Sequence, residues 1–136
     1  MSEMEMGIEN EFVKSIRENY EALNDNEIFK EQFKDDTFKI LLNPSDGEYA
    51  ALIKVNKGIV AVEGIKNSPK ENIEKETLGW DSLMETARQT FKDIGDGKLS
   101  SRGIRMKVLA RKIKVSGLKH LSSFSRMAAI RRDSKK

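Results

Sequence analysis

The sequence predicts one α+β domain, a five-stranded and mostly antiparallel sheet covered on one face by helices. Two observations carry this prediction. Residues 37–65 alternate apolar and polar side chains and are interrupted by short turns, which is typical of antiparallel strands. On both sides of that stretch, apolar residues recur every three or four positions, as they do in amphipathic helices. The length of 136 residues fits a single domain, which we expect to span residues 1–136.

Helices are predicted at the beginning of the chain. An N-terminal helix is expected within residues 1–24, because its apolar residues are spaced by three and four: Ile8, Phe12, Ile16, Tyr20 and Leu23. The run Asn24-Asp25-Asn26 interrupts it and caps a second, short helix. The apolar side of that helix is expected to be Ile28, Phe29 and Phe33.

Three strands follow as an antiparallel meander. Thr37–Leu42 and Tyr49–Val55 are the first two, separated by Pro44-Ser45-Asp46-Gly47, whose residues favour a turn. Asn56-Lys57-Gly58 closes a hairpin to a third strand, Ile59–Ile65.

The second half of the chain is predicted to be mainly helical. A fourth strand over Ile73–Leu78 precedes a helix over Trp80–Ile94, which Gly95-Asp96-Gly97 ends. Another helix, capped by Ser100 or Ser101, is predicted to carry Ile104, Met106, Val108 and Leu109.

The chain closes with a strand and a helix. Arg111–Val115 alternates and predicts the last strand. A C-terminal amphipathic helix begins at Leu118, and residues 131–136 are expected to be a frayed basic tail.

This order of elements resembles the sterol carrier protein type two family over roughly Ile28 to Ile130. The stretches that carry the resemblance are Phe38–Leu42, Tyr49–Val55 with Asn56-Lys57-Gly58, Trp80-Asp81-Ser82-Leu83, and Lys112-Ile113-Lys114-Val115-Ser116-Gly117. The resemblance implies an apolar tunnel between the sheet and the helices. It also implies sterol, fatty-acyl or phospholipid ligands that are bound without chemistry. The chain lacks the Ser-Lys-Leu ending of eukaryotic relatives, so sterol is not assumed to be the ligand.

The candidate lining of such a cavity is a set of apolar residues on the predicted faces. It comprises Phe38, Ile40, Trp80, Leu83, Met84, Ala87, Phe91, Met106, Leu109, Leu118, Leu121, Phe124 and Met127. Methionine suits a variable guest because its unbranched thioether repacks at low cost. The alternative interpretation is that these residues fill a solid core. The protein would then be an accessory interaction domain that binds a protein or a polyanionic partner through its basic C-terminal third.

Charge is distributed unevenly along the chain. Residues 98–136 carry 13 Lys/Arg against one acidic residue, a net charge of +12, whereas residues 1–97 carry a net charge of −9. The basic third is interpreted as a solvated face, as a contact to anionic lipid through Arg126, Arg131 and Arg132, or as a site for a phosphorylated ligand such as an acyl-coenzyme A, or for nucleic acid. Nucleic acid is the least favoured partner, because no recognised motif accompanies the charge.

The sequence does not predict an enzyme. It has no cysteine and one histidine, His120, so disulfides and His/Cys metal sites are excluded. His120 adjoins Lys119 and is interpreted as a surface residue, and Asp93–Gly97 as a turn. A carboxylate such as Glu63 or Asp81 is the remaining catalytic alternative. We expect no cofactor and, from the absence of a secretory signal or an apolar span, a cytoplasmic location.

Overall fold

The computed structural model describes residues 11–99, 101–117 and 120–133, and it contains one five-stranded sheet. The strands lie in the order β3-β2-β1-β4-β5. Their bounds are β1 Thr37–Pro44, β2 Tyr49–Asn56, β3 Ile59–Lys66, β4 Ser82–Thr86 and β5 Lys114–Ser116. The pairing of β1 with β4 is parallel, and the other pairings are antiparallel. The predicted α+β class, with a mostly antiparallel sheet of five strands, is confirmed.

Helices occupy the segments between and around the strands. They are α1 Glu11–Glu21, α2 Glu27–Gln32, α3 Lys75–Leu78, α4 Arg88–Gly95, α5 Ser101–Leu109 and α6 Leu121–Asp133. Two 3₁₀ turns, Ala22–Asp25 and Lys70–Ile73, precede α2 and α3. The predicted cap of α2 is confirmed, because the Asn26 side chain accepts a hydrogen bond from the Phe29 amide at 2.9 Å. Ile28, expected on the apolar side of α2, is instead exposed.

The predicted β1-β2-β3 meander is confirmed, with each strand one or two residues longer than expected at its end. Its register pairs apolar residues across the strands: Phe38 with Val55, Ile40 with Ile53, and Ile53 with Val62. The β2–β3 turn places Lys57 at φ 49° and Gly58 at φ 82°, the two positive angles that a tight hairpin turn of this hand requires.

The prediction of one helix over Trp80–Ile94 is wrong in its first half. Ser82–Thr86 forms β4, in which Ser82, Met84 and Thr86 are buried while Leu83 is half-buried. This alternation has period two, and the strand is paired in parallel with β1, from Ile40 opposite Ser82 to Pro44 opposite Thr86. The apolar residues of 80–94, whose spacing predicted one helix, therefore lie on a strand followed by a shorter helix.

Two further strand predictions are corrected. Ile73–Leu78 is not a strand, because Ile73 ends a 3₁₀ turn and Lys75–Leu78 is α3. The last strand begins at Lys114 rather than Arg111. Arg111, at φ 61°, and Lys112 instead close the end of α5, where the Lys112 amide donates to the Lys107 carbonyl and the Arg111 amide to the Val108 carbonyl.

The sheet separates two apolar layers. On one face, a large core of sheet side chains packs against α1, α2, α4 and α6, and we call the space between these layers the interlayer. On the other face, Leu41 and Leu52 pack against Trp80 and Ile73, which belong to the crossover from β3 to β4. Burying apolar surface on both faces explains why β1 and β2 are nearly continuous apolar runs.

The end of the chain departs from the expected frayed tail. Arg131 and Arg132 belong to α6, which continues to Asp133, and Arg131 is buried. Residues 134–136 of the predicted tail, and residues 1–10 of the predicted N-terminal helix, lie outside the described residues.

Candidate functional site

The interlayer brings together six of the sequence-predicted cavity residues. Phe38, Ile40 and Met84 extend from the sheet, and Phe91, Phe124 and Met127 extend from α4 and α6. All six are almost fully buried and belong to one core. Residues from two strands and two helices thus pack into one apolar core between the sheet and the helices.

Aromatic rings line one end of this interlayer in a continuous series. The ring centroids of Phe29 and Phe33 are 4.8 Å apart, and those of Phe33 and Phe38 are 6.2 Å apart. His120 stacks on Phe38 at 4.4 Å, with 10° between the ring planes. The guanidinium of Arg126, a predicted anionic-surface residue, lies 4.8 Å from the centroid of Phe33, an inner member of the series.

Tyr20 lies at the centre of the helix layer. Its ring is stacked on Phe124 with centroids 5.5 Å apart, and the side chain is almost completely buried. Burial raises the pKa of the Tyr20 hydroxyl to about 12, against a smaller opposing effect of Arg131 and Arg132. Tyr20 is therefore a neutral group at physiological pH and presents an uncharged hydroxyl to this region.

A cleft of about 520 Å³ opens between α1 and α4. Its apolar wall consists of Phe12, Ile16, Tyr20 and Phe91, and the rings of Phe12 and Phe91 have centroids 5.4 Å apart. Because Ile16, Tyr20 and Phe91 also belong to the core, this wall is continuous with the interlayer. A volume of this size is within the range of ordinary small-molecule sites.

The rim of the cleft is polar and carries both signs of charge. Glu11 and Asp96 lie on it, and Lys92 and Arg88 provide cations. Arg88 forms an ion pair with Asp46, in which Nε lies 3.5 Å from Oδ1. The backbone amide of Arg88 also donates a hydrogen bond to this Oδ1 at 2.8 Å. These contacts with Arg88 hold the pKa of the Asp46 carboxyl below its usual range. The cleft thus has an apolar wall and a charged entrance.

Two of the predicted anionic-surface arginines are used inside the protein, beside this cleft. Arg131, 5% exposed, donates to the carbonyl of Gly95 and, at 3.4 Å, to the Asn19 side chain. Arg132 donates to the carbonyl of Ile94 at 3.2 Å. Both cations therefore lie at the C-terminal end of α4, where the helix dipole favours positive charge.

The remaining predicted residues lie elsewhere. Trp80 and Leu83 are on the opposite face of the sheet, where the Trp80 indole N–H donates to the Ile73 carbonyl at 3.0 Å. Ala87 is the half-buried cap of α4, and Met106 and Leu109 are exposed on α5. Leu118 and the side chain of Leu121 lie outside the described part of the chain.

The residues of the α1 wall of the cleft are not among the predicted cavity residues. Phe12, Ile16 and Tyr20 were recognised as the apolar stripe of a helix, but a stripe alone does not reveal which residues border an open space. The pairing of α1 with α4, more than 70 residues along the chain, is visible only in the fold.

Two further observations limit the chemistry of the described residues. Over 11–99, 101–117 and 120–133, no three His, Asp or Glu side chains are grouped so that they could hold a metal ion. No helix within those ranges has the length and apolar character needed to cross a bilayer.

The chain has the fold of sterol carrier protein 2. A UbiJ-SCP2 ubiquinone synthesis protein matches with a TM-score of 0.62 and 8% identity, covering 92% of this chain and 94% of that one. A crystal structure of sterol carrier protein 2 matches with a TM-score of 0.60 and 10% identity, covering 89% and 93%. At these identities the likeness concerns the fold.

The same fold also forms part of a much larger protein. The stereoselective inverting sec-alkylsulfatase Pisa1 from Pseudomonas sp. matches with a TM-score of 0.55 and 14% identity, over 72% of this chain and 14% of the sulfatase. No protein-family model matches the sequence, and no curated protein matches it.

Proposed function

We propose that the protein binds and carries an apolar ligand, with a fatty-acyl group as the best fit, in the cleft between α1 and α4 that borders the interlayer. The observation that carries the proposal is the cleft of about 520 Å³ between α1 and α4, in a fold shared with sterol carrier protein 2. Its wall of Phe12, Ile16, Tyr20 and Phe91 offers an apolar surface that continues into the interlayer.

Burial of the acyl chain supplies the affinity. Each methylene removed from water contributes about 0.8 kcal/mol, so ten methylenes contribute on the order of 8 kcal/mol before the ordering costs of binding. Such binding needs no specific polar pocket. It also needs no bond making or breaking, and the proposal accordingly assigns the protein a carrier role without catalysis.

The rim supplies a place for the polar end of the ligand. Lys92 is exposed at the cleft and forms no ion pair within the described residues, so its ammonium is available to a carboxylate or phosphate. Arg88, held by Asp46, is less available. The ligand would therefore enter with its alkyl end first and leave its charged group at Lys92.

The test is a titration with a fluorescent fatty acid such as dansyl-undecanoic acid, after organic extraction of the purified protein. We expect stoichiometric binding in the micromolar range that changes little in high salt, because an enclosed alkyl chain is not screened. Ser15, which is exposed and lines the cleft, offers a way to fill it. Ser15→Trp should weaken binding by about tenfold or more.

The matched control is Ser122→Trp, which adds the same ring to an exposed position of α6 away from the cleft. It should bind like the wild type. If the wild type does not bind the fatty acid, or if the two tryptophan variants bind it equally well, the cleft is not the binding site.

The second candidate function is an accessory interaction domain with a solid core. It is favoured by the many large side chains that meet in the interlayer, among them Tyr20, Phe33 and Phe124. Native mass spectrometry of the freshly purified protein separates the two candidates. A stoichiometric lipid adduct supports the carrier, and a clean unliganded mass together with a silent titration supports the interaction domain.

A further inference from the structure

We propose that the outward face of α5 docks on a membrane surface that contains anionic lipids. This face, which we call the α5 face, consists of Arg102, Arg105, Met106 and Leu109. The proposal concerns a surface separate from the ligand cleft and stands independently of the proposed carrier function.

The α5 face is defined by helical geometry. At 100° per residue, its four residues lie within one arc of the helix, opposite Ile104, which is buried, and Val108, which is partly buried against the core. Met106 is 61% exposed and Leu109 is 78% exposed. The helix therefore rests on the protein through one side and presents two large apolar side chains, one turn apart, to the outside.

The charge along the segment that contains this face has a single sign. Residues 98–114 contain seven Lys/Arg and no Asp or Glu. Of the seven, all but Lys107 are exposed, and among the described residues none of them forms an ion pair. Within the described residues, these cations thus form no ion pair with the carboxylates of residues 1–97, although that part of the sequence carries a net charge of −9.

The combination of apolar and basic groups selects the occupant. A helix with Met and Leu between arginines matches the interfacial helices that insert apolar side chains below the level of anionic headgroups while the cations contact phosphates. Nucleic acid would satisfy the cations but would gain nothing from Met106 and Leu109. Among the described residues, the other large exposed apolar residue on a helix is Ile28, which is flanked by Glu27 and Glu31 and so lacks this charge pattern.

The experiment is flotation of the full chain with phosphatidylcholine vesicles that contain, or lack, about one third phosphatidylglycerol. We expect binding to the anionic vesicles and at least tenfold weaker partitioning to pure phosphatidylcholine. Arg102→Gln/Arg105→Gln should weaken partitioning on the order of thirtyfold, since each basic residue near the surface contributes about one factor of five. Met106→Ser/Leu109→Ser should weaken it by about tenfold or more.

Two control variants match the substitutions away from the α5 face. Ile28→Ser/Ile59→Ser removes two other exposed apolar side chains, and Lys66→Gln/Lys70→Gln removes two exposed charges. Both should float like the wild type, and thermal melts should confirm that all four variants are folded. A fluorescent fatty-acid titration of Met106→Ser/Leu109→Ser should match the wild type, so failure of docking is distinguishable from failure of ligand binding.

Three results would overturn the proposal. The first is that the wild type does not float with anionic vesicles. The second is that the α5-face variants and the control variants lose vesicle binding equally. The third is that Met106→Ser/Leu109→Ser binds the vesicles as strongly as the wild type. The last result, combined with salt-sensitive binding to RNA, would assign the basic segment to a polyanion instead.

Discussion

The guanidinium of Arg131, in the last helix, donates a hydrogen bond to the carbonyl of Gly95, the last residue of α4. Helix ends leave carbonyl groups without intrahelical partners, and a buried carbonyl without any partner is costly. Since Arg132 binds the neighbouring carbonyl of Ile94, α6 closes the end of α4 with two cations. This contact joins the C-terminal region of the chain to one wall of the cleft.

Replacing that cation should therefore destabilise the fold. For Arg131→Met we expect the free energy of unfolding to fall by about 2–3 kcal/mol, because a hydrogen bond from a charged donor is lost and the Gly95 carbonyl remains buried. Urea denaturation gives the measurement. Arg126→Met is the matched control, since Arg126 is exposed above Phe33 and its loss should cost less than about 1 kcal/mol. Equal losses in the two variants would contradict the assigned role.

Gly117 should tolerate no side chain. It has a φ of +69°, and a Cβ there would collide with the carbonyl oxygen of Asp81. We expect Gly117→Ala to cost about 3 kcal/mol or more, from the positive φ and the backbone clash together. Gly79 has nearly the same φ, +67°, but a Cβ there would meet only the flexible end of Lys39, at 3.7 Å. Gly79→Ala should therefore lower the free energy of unfolding by only about 1 kcal/mol. Thermal or urea unfolding of both variants measures the difference, which is the cost of the clash. Similar losses of stability in the two variants would show that the backbone moves to avoid the clash.

Arg111 offers a stabilising substitution. It adopts a φ of 61° at the end of α5, a position where glycine avoids the cost that a Cβ imposes. Arg111→Gly should raise the free energy of unfolding by about 0.5–1 kcal/mol, after the greater freedom of glycine in the unfolded chain is subtracted. Arg105→Gly, inside the same helix, should instead lower it by about 1 kcal/mol. A loss of stability in Arg111→Gly would show that the Arg111 side chain contributes more than its backbone costs.

Tyr20 should make the protein sensitive to alkali. The pKa of Tyr20 is about 12 in the folded protein, against about 10 in an unfolded chain. Between these pH values the unfolded chain releases the proton and the folded protein keeps it, so stability falls as pH rises. The loss is on the order of 2–3 kcal/mol by pH 12 and is absent below pH 10.

Tyr20→Phe isolates this effect from other groups that titrate in the same range. The difference in unfolding free energy between the wild type and Tyr20→Phe should be constant below pH 10. Above it, the wild type should lose stability faster. Parallel curves up to pH 12 would mean that the Tyr20 hydroxyl ionises as freely in the folded protein as in water.

The fold was predictable from the sequence where local patterns decide the structure. The β1-β2-β3 meander follows from period-two alternation and short turns, and α2 from its Asn26 cap. The strand β4 was mistaken for a helix because Leu83 and Met84 pack on opposite faces of the sheet, which makes its apolar pattern continuous with that of α4. The parallel pairing of β4 with β1, some 40 residues distant, leaves no local signal.

The candidate site was less predictable than the fold. Residue type identified Phe91, Phe124 and Met127 as interior residues, but it gave the same weight to Met106 and Leu109, which are exposed. The charge asymmetry likewise did not distinguish Arg131, which caps a buried helix end, from Arg105, which faces outward. These distinctions depend on which helix faces pack together.

The position of Trp80 determines what intrinsic fluorescence can report. The chain contains one tryptophan, and the whole thickness of the sheet separates it from the cleft and the interlayer. Its emission should therefore report on the packing of the crossover segment and on unfolding of the sheet. It should remain unchanged when an unlabelled ligand enters the cleft on the opposite side of the sheet. A titration with an unlabelled ligand that is followed by tryptophan emission would therefore show little change even at full occupancy, so a fluorescent probe attached to the ligand itself is required to count bound molecules.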